Sequence, residues 1–256
     1  MSTLKGARVE GARVVVTGAN RGIGLGFVQE ALARGAAKVY AGVRDPDDVT
    51  DELRATGADI VRLEVTSPDD IAAAAASCAD ANVLINNAGL HANTRLVMTD
   101  DPDAARREME VNYFGPLMTT RAFAPVIAGN GGGSIVNVLS VAALAPTAFM
   151  GGYSPAKAAA LYLGGIARAE LEPMGISVTS LIVGSVDTRM AAHVDGKKEA
   201  PRDIAVAGLK AMERGEWTAD TDKMAVESRA RMAMDPVRYE RGLGKLLFMS
   251  ELSTKA

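Results

Sequence analysis

Short apolar segments rich in β-branched residues alternate along the chain with longer segments that favour helix. Most of the short segments are apolar throughout rather than at every second position, which is typical of strands covered on both faces. They are Arg13–Thr17, Lys38–Val43, Ile60–Val65, Val83–Asn86, Ser134–Leu139 and Ser177–Val183. The helical segments are about Ile23–Arg34, Asp47–Ala55, Pro68–Cys78, Pro102–Ile127, Gly152–Glu172 and Pro201–Arg214. This alternation predicts an α/β fold, a doubly wound parallel sheet with helices on both faces.

The alternation becomes less regular beyond Gly184. Residues 184–200 predict a loop, and residues 220–250 are typical of further helix. No internal repeat and no low-complexity linker divides the sequence. The length of 256 residues therefore predicts a single domain over 1–256, with a loop and a helical C-terminal region at about 184–256.

Composition and charge exclude several classes of protein. Hydrophobic residues make up 48% and charged residues 23%, which excludes a disordered or fibrous chain. A net charge of −3 gives no basic footprint for nucleic acid. No apolar run approaches the ~18–20 residues that span a bilayer, and residues 1–11 lack the apolar core of a secretory signal. The single cysteine, Cys78, and the two histidines cannot build the usual zinc site. We expect a reduced, cytoplasmic protein without a metal.

A glycine-rich segment joins the first strand to the first helix. It reads Thr17-Gly18-Ala19-Asn20-Arg21-Gly22-Ile23-Gly24. Glycines allow the backbone to turn tightly and approach a pyrophosphate, and the helix that follows directs its N-terminus at the negative charge. The GxxxGxG spacing differs from the commoner GxGxxG fingerprint and lacks the GK[ST] of a P-loop. The segment indicates dinucleotide binding; the alternative is a glycine-rich turn without a ligand.

The end of the second strand indicates which dinucleotide is bound. In a doubly wound sheet, an acidic residue at this place bonds the ribose diol of NAD. Here the strand ends at Val43, and Arg44 follows at once. A guanidinium makes a bidentate contact with a 2′-phosphate, and Arg21 in the glycine turn can reach the same group. We predict a preference for NADP(H) over NAD(H), with Asp45 as the contrary feature and a solvated surface arginine as the alternative for Arg44.

Tyr153 and Lys157 stand four residues apart at the start of a long helix and so share one face. At ~5 Å and an effective dielectric near 20, the lysine cation would stabilise a tyrosinate by about 3 kcal/mol, roughly two pKa units. That shift brings the tyrosine towards the range of a working acid. Ser140 ends the fifth strand, at the edge where such sheets bind ligands, and its hydroxyl can donate to a substrate oxygen.

These motifs, with Asn86-Asn87-Ala88-Gly89 after the fourth strand and Asn112 in the next helix, resemble the short-chain dehydrogenase/reductase family from about Gly11 to Thr188. The resemblance implies a one-domain Rossmann fold and oxidoreductase activity. It implies that Tyr153 is the general acid/base, that Ser140 orients the carbonyl, and that Lys157 holds the nicotinamide ribose and lowers the tyrosine pKa. By the same resemblance, Asn112 keeps a water in a proton relay. The implied cofactor contacts on the adenosine side include Asn86, Ala88 and Gly89.

Three segments depart from the family pattern. Glu64-Val65 stands where the family often has Asp-Val against the adenine. Val183-Gly184 replaces Pro-Gly, although Gly184, Val186 and Thr188 keep the spacing of the expected nicotinamide contacts, so the order of this loop is in question. The family's terminal strand with its Val-Asp-Gly-Gly turn is not found; Trp217 to Asp220 are instead expected to lead into a helical tail.

The residues expected to face the substrate follow the strand ends and are mostly apolar. They are Leu90, His91, Val141, Ala142, Leu144, Phe149, Met150, Ser185, Met190 and His193. No arginine or lysine is evident in a position to hold a carboxylate or phosphate. The substrate is therefore expected to be a hydrophobic ketone or aldehyde, with the histidines either polar handles or ordinary loop residues.

The resulting functional prediction is an NADPH-dependent carbonyl reductase/alcohol dehydrogenase that transfers hydride with tyrosine as general acid. Epimerase, dehydratase or dehalogenase chemistry on the same scaffold is disfavoured by the intact Ser/Tyr/Lys set. A sensor or regulatory protein that binds NADP without turnover is the alternative from a different class. A homodimer or homotetramer is expected on the resemblance alone, with no nucleic-acid or membrane partner.

Overall fold

The computed structural model describes residues 4–192 and 195–253, with side chains up to residue 247. Seven strands form one sheet: β1 (Arg13–Thr17), β2 (Lys38–Val43), β3 (Asp59–Arg62), β4 (Val83–Asn86), β5 (Gly133–Val138), β6 (Ile176–Ile182) and β7 (Thr218–Asp220). The α-helices are α1 (Gly22–Ala33), α2 (Asp51–Arg54), α3 (Pro68–Ser77), α4 (Ala104–Met109), α5 (Gly115–Gly129), α6 (Tyr153–Leu171), α7 (Pro201–Arg214), α8 (Lys223–Met234) and α9 (Pro236–Ser253). None of these described helices is long and apolar enough to cross a bilayer.

The sheet is parallel at every pairing, in the order β3-β2-β1-β4-β5-β6-β7. The chain builds outward from β1 to β3 and then returns to place β4 on the other side of β1. This reversal opens a crevice beyond the carboxyl ends of β1 and β4, the place where doubly wound sheets bind ligands. The predicted Rossmann-like doubly wound fold is confirmed.

Both faces of the sheet are buried, which explains the continuous apolar runs of the inner strands. Val14 and Val16 of β1 belong to a core that includes Phe27 of α1 and Leu209 of α7. Val15, between them, belongs to a second core on the opposite face with residues of α3 and α5. Because successive side chains of a strand point to opposite faces, a strand between two cores must be apolar at every position.

The long helix predicted over residues 102–127 is interrupted. Residues Glu110–Phe114 form a π-helical turn between α4 and α5. Asn112 lies in this turn with its side chain fully buried, where its Nδ2 donates to the backbone oxygens of Leu90 and Glu108. Turns of this type inside α-helices are frequent at functional sites, and this one directs an amide into the loop that follows β4.

The C-terminal region contains a strand that the sequence did not predict. Residues 218–220 pair in parallel with β6, Leu181 opposite Ala219, and only Ala219 of the three is buried. A three-residue strand with one buried side chain leaves no detectable pattern in the sequence. The helices expected over 220–250 are present as α8 and α9, and α8 is capped by the Asp222 carboxylate, which accepts from Ala225 N.

Candidate active site

A cleft of about 1190 Å³ opens at the carboxyl ends of the strands. It runs from the turn after β1, across the ends of β4 and β5, to the segment after β6 and the helices α8 and α9. Its position matches the topological switch between β1 and β4, so one continuous cavity is long enough to hold a dinucleotide at one end and a substrate at the other.

The glycine turn is held against the segment after β4 by paired polar contacts. Thr17 Oγ1 accepts from Asn87 N and Ala88 N at 2.9 and 3.0 Å, and Asn87 Nδ2 donates to Thr17 O and Gly18 O. Gly18 has φ +64°, and a Cβ there would lie 2.9 Å from Ala88 Cα. Only glycine fits such a close approach of two backbones.

The next glycine leaves room beside the start of α1. Gly22 has φ +58°, and a Cβ there would lie 3.1 Å from Thr188 Cγ2 across the cleft. Its neighbour Arg21 is extended and precedes the first turn of α1, so the free N–H groups of that turn lie beside the cleft. The backbone therefore forms a cradle without side chains at the N-terminus of α1, a helix of twelve residues. Such a cradle fits a pyrophosphate.

Two arginines stand at the adenosine end of this cleft. Arg21 and Arg44 are exposed and line it, and neither forms an ion pair with a described residue. Asp45 also lines the cleft, but its Oδ1 accepts from Asp47 N within its own turn. Glu64 lines the cleft with its Oε1 bonded to Thr66. Asp48 lines this end too, and its backbone oxygen accepts from Asn20 Nδ2. The two guanidinium groups thus stand beside two carboxylates that are bonded within their own turns, Asp45 and Glu64.

Ser140, Tyr153 and Lys157 meet at the other end of the cleft, and all three are nearly buried. Ser140 follows β5, and its Oγ accepts from Ala142 N at 3.2 Å. Lys157 lies one turn beyond Tyr153 on α6, and its Nζ donates to Val138 O at 2.9 Å and lies 5.5 Å from the tyrosine ring centre. The spacing on α6 and the end of β5 thus bring a hydroxyl, a phenol and an ammonium into one corner.

The pKa of the tyrosine differs from the sequence expectation. Burial raises the pKa of Tyr153 to about 12, and the nearby Glu108 carboxylate raises it further, while a hydrogen bond from Ser140 opposes the rise. Burial also lowers the pKa of Lys157 to about 8. The predicted downward shift used an effective dielectric near 20 and counted only the attraction between the lysine cation and the tyrosinate. Desolvation of the phenolate outweighs the lysine in the free protein, where the lysine donates to Val138 O.

Two asparagines of the predicted site have their side chains bonded inside the protein. Asn86 is buried below the cleft, where its amide bonds Thr119, Thr120 and Asn137; Asn87, the next residue, lines the cleft instead. Asn112 holds both Leu90 N and Leu90 O. Both side chains therefore support the loop and strand ends around the cleft, and the cofactor contact expected of Asn86 and the water contact expected of Asn112 stay predictions.

Most of the other predicted residues line the cleft. On the cofactor side these are Gly18, Asn20, Arg21, Gly22, Ile23, Arg44, Glu64, Val65, Ala88, Gly89, Gly184, Val186 and Thr188. On the substrate side they are Leu90, His91, Val141, Phe149, Met150, Ser185 and Met190. The His91 ring lies 5.2 Å from the ring of Tyr153, centre to centre.

Besides Asn86 and Asn112, three of the predicted residues that the structure describes do not line this cleft. Gly24 packs inside the turn, where a Cβ would lie 2.3 Å from Gly18 O. Ala142 and Leu144 line a separate, smaller cavity of about 320 Å³ behind the start of α6. They do so because a short 3₁₀ turn after Ser140 carries the chain away from the cleft. His193 lies outside the described residues.

The C-terminal helices supply part of the cleft that the sequence analysis missed. Their contributions are Met224, Glu227, Ser228, Arg231, Tyr239, Leu243 and Leu246. Arg189 and Arg231 also line the cleft, contrary to the expectation that no basic residue would do so, although Arg231 lies 3.9 Å from Glu227. The available signal was the alternation of apolar and polar residues over 220–250, which predicts amphipathic helices but not the surface they cover.

Hydrogen bonds to distant residues hold the segment that follows β6, where the family's proline is absent. Asp222 Oδ2 accepts from Gly184 N at 2.7 Å, and a Cβ on Gly184 would lie 2.5 Å from the other carboxylate oxygen. Glu199 N donates to Ser185 O, and Asp187 N donates to Glu199 O. Contacts with distant residues thus replace the stiffness of the absent proline.

Comparison with known proteins agrees with this geometry. Residues 12–199 match the family model described as short chain dehydrogenase. The chain belongs to the short-chain dehydrogenase/reductase family. It is 34% identical over 208 residues to a 3-alpha-(or 20-beta)-hydroxysteroid dehydrogenase of Mycobacterium tuberculosis, covering 79% of this chain and 77% of the relative. It is 32% identical over 218 residues to dehydrogenase/reductase SDR family member 7B of Bos taurus, covering 78% of this chain and 67% of the relative.

A solved structure resembles most of the chain. A short chain dehydrogenase from Burkholderia cenocepacia, in complex with NADP, superposes with a TM-score of 0.88 at 40% sequence identity. The match covers 93% of this chain and 99% of that one. Membership of this oxidoreductase family and a nucleotide cofactor are therefore supported together by sequence, fold and site.

Proposed function

We propose that the protein is an NADP(H)-dependent oxidoreductase that interconverts a hydrophobic ketone or aldehyde and its alcohol. The observation that carries this proposal is the arrangement of Ser140, Tyr153 and Lys157 in one corner of a cleft whose far end presents two unpaired arginines. When bound, the nicotinamide cofactor supplies or accepts the hydride. The chain's own residues bind the substrate, exclude water and move the proton.

Tyr153 is the proton donor in this proposal. With its pKa raised to about 12 by burial, it holds its proton throughout the neutral range, which is the form that can protonate a carbonyl oxygen. Ser140 stands beside it and provides a second hydroxyl for the developing negative charge on that oxygen. Oxidation of an alcohol requires the deprotonated phenol, so the rate of oxidation is expected to increase with pH, while the cofactor ratio and pH set the net direction.

Lys157 holds the cofactor's ribose in this proposal and keeps a positive charge close to Ser140 and Tyr153. Its Nζ has a fixed backbone acceptor in Val138 O, which leaves its other protons free to donate into the cleft. Because burial lowers its pKa to about 8, Lys157 is still protonated at neutral pH, but it loses this proton at a lower pH than an exposed lysine does.

The preference for NADP(H) rests on Arg21 and Arg44. Val43 ends β2 where a carboxylate would bind the ribose diol of NAD. A 2′-phosphate between two exposed guanidinium groups gains charge-assisted hydrogen bonds worth about 1.5–3 kcal/mol each, which is about tenfold or more in affinity. The NADP complex of the Burkholderia cenocepacia relative supports the same preference.

The substrate class rests on the apolar wall of the reactive end. Phe149, Met150, Met190, Met224 and Leu243 all line the cleft. Two arginines line it as well: the charge of Arg231 is partly balanced by Glu227, and Arg189 is exposed. Bulky neutral carbonyl compounds fit such a wall, and the name of the hydroxysteroid dehydrogenase relative agrees with that class.

The first test is reductase activity. Consumption of NADPH is measured over a panel of neutral and anionic ketones and aldehydes, with NADH in parallel. We expect neutral, bulky carbonyls to be reduced, and Tyr153→Phe to abolish turnover while NADPH affinity stays nearly unchanged. A Tyr153→Phe variant with most of its activity would refute the mechanism. Tight NADPH binding without turnover on any compound would instead favour a sensor.

The cofactor preference has its own test. Arg44→Ala and Arg21→Ala are each expected to raise the KM for NADPH about tenfold or more, with little change for NADH. Arg54→Ala is the matched control, since Arg54 is exposed on α2 and does not line the cleft. Equal effects on both cofactors, or a wild-type preference for NADH, would show that these arginines do not read a 2′-phosphate.

A further inference from the structure

Glu108 is a fully buried carboxylate that the proposed mechanism does not use. It lies on α4 with no exposed surface. Its Oε1 accepts from Ala92 N at 2.8 Å. Its Oε2 is buried without a hydrogen bond of ordinary geometry, but the backbone N–H groups of Gly152 and Tyr153 act on the carboxylate and lower its pKa. Burial of an incompletely paired carboxylate is costly. The fold therefore tolerates an unfavourable buried carboxylate on α4. The groups around Glu108 indicate which function this carboxylate has.

The second carboxylate oxygen of Glu108, Oε2, faces the start of the helix that carries Tyr153. A Cβ on Gly152 would lie 2.7 Å from Glu108 Oε2. Gly152 precedes the first turn of α6, which has neither a capping side chain nor an acidic residue of its own. A helix N-terminus leaves several N–H groups unsatisfied and favours a nearby negative charge. Glu108 supplies from α4 the carboxylate that α6 lacks.

The bonded oxygen holds the loop on the other side of the tyrosine. Ala92 N is fixed by Glu108, while Leu90 N and O are fixed by Asn112, whose Nδ2 also donates to Glu108 O. His91 lies between these anchors, with its ring 5.2 Å from the ring of Tyr153. One side chain therefore joins the loop after β4 to the start of α6, and Tyr153 sits where the two meet.

We propose that Glu108 is a positioning residue for Tyr153, which anchors the loop at Ala92 with one carboxylate oxygen and the uncapped start of α6 with the other, and sets the electrostatic potential at the phenol. This inference rests on the proposed role of Tyr153 as the proton donor. The other charged or titratable groups around the carboxylate are Arg107 on its own helix, itself paired with Asp101, Tyr153 with its neighbour His91, and Lys157 one turn further along α6.

The negative charge has a measurable consequence for Tyr153. The Glu108 carboxylate raises the pKa of the tyrosine, because a phenolate beside a carboxylate is repelled. Glu108→Gln keeps the shape and one acceptor oxygen but removes the charge. At separations on the order of 10 Å and an effective dielectric near 20, we expect the pKa of Tyr153 to fall by about one unit. A glutamine also has only one oxygen, so it cannot accept on both sides.

The experiment measures the phenol directly in the free protein. Tyrosine labelled with ¹³C at Cζ is titrated by NMR in wild type and in Glu108→Gln, with the Tyr153 signal assigned by its loss in Tyr153→Phe. Glu110→Gln is the matched control, since Glu110 is exposed two residues further along the same segment. We expect a lower pKa of Tyr153 in Glu108→Gln alone, and an earlier alkaline change in its profile of kcat/KM against pH.

Each outcome decides the proposal. A folded Glu108→Gln variant with an unchanged Tyr153 pKa, or an equal shift in Glu110→Gln, would overturn it. Should Glu108→Gln fail to fold, wild type alone provides the test: the amide signals of Ala92, Gly152 and Tyr153 must titrate with the Glu108 carboxyl carbon, and a different midpoint would overturn it. Retention of activity in Tyr153→Phe would remove the proposed function, but not the measured coupling.

Discussion

Replacing Lys157 by methionine is expected to abolish activity and yet stabilise the protein at neutral pH. Lys157 is 4% exposed and has one hydrogen bond to a described residue, from its Nζ to Val138 O. Methionine keeps much of the length of the side chain and removes the charge. The variant therefore loses the ammonium of the proposed site together with the cost of burying it.

The lowered pKa of Lys157 determines how the difference in stability between wild type and Lys157→Met changes with pH. The pKa of Lys157 falls from its ordinary 10.5 to about 8 on burial, so between these values the unfolded chain holds a proton that the folded chain has released. The free energy of unfolding of wild type therefore rises with pH across this window, by about 3 kcal/mol. Loss of the bond to Val138 O costs the variant about 1 kcal/mol. Lys157→Met is then more stable than wild type by about 2 kcal/mol at pH 7, and less stable near pH 10.5.

Urea denaturation of both proteins at several values between pH 7 and pH 10.5 measures this difference. Lys210→Met is the matched control, because Lys210 is exposed on α7 and should show no such dependence on pH. The reasoning fails if the difference between wild type and Lys157→Met stays constant over the window, or if the variant is the less stable protein at pH 7.

Two further substitutions distinguish a residue that contributes to cofactor binding from one that stabilises the fold. Gly22→Ala is expected to weaken dinucleotide binding about tenfold in a binding titration, because its φ of +58° is unfavourable for alanine and its Cβ would lie 3.1 Å from Thr188 Cγ2. Gly131→Ala has φ +89° and open space around it, and similar affinities for the two variants would contradict the cradle. Asn86→Ala is expected to lower the free energy of unfolding by about 1–3 kcal/mol while the KM for the cofactor stays nearly constant, since its amide bonds Thr119 and Asn137. A large rise in that KM with unchanged stability would instead support the direct cofactor contact predicted for Asn86.

The features that could be predicted from the sequence are those encoded locally. The limits of β1, β2 and β4 follow from continuous apolar runs between two cores, and the structure gives the same residues. The turn from Thr17 to Gly24 depends on glycine at positions with positive φ, which a sequence displays directly. The spacing of Tyr153 and Lys157 on one helix is likewise a local property. These features suffice to specify the sheet, the cofactor end of the cleft and the reactive corner.

The features that escaped prediction depend on contacts between distant segments. Strand β7 forms because residues 218–220 pair with the edge of β6. The sequence of these three residues alone does not predict a strand. The C-terminal wall of the cleft depends on how α8 and α9 pack, which their amphipathic pattern leaves open. The two adjacent asparagines after β4 are chemically identical, and only the alternation at the end of the strand turns Asn86 inward and Asn87 to the cleft.

Tyr153 shows why electrostatics was the least predictable property of all. Its distance to Lys157 follows from helical geometry, but the sign of its pKa shift depends on how much water remains around it, which is a property of the whole fold. In the structure it stands close to both a buried ammonium and a buried carboxylate, Lys157 one turn after it and Glu108 near the start of its helix. The pKa of Lys157 is lowered and that of Glu108 is raised, both chiefly by burial, so each charge is unfavourable where it stands. Burial of the phenol and the nearby Glu108 carboxylate keep the proton on Tyr153 until a carbonyl oxygen is present to receive it, whereas the Lys157 ammonium favours its release. Stability and activity are therefore expected to oppose each other at Lys157, and the same opposition should appear at Glu108 as pH rises through the raised pKa of its carboxyl.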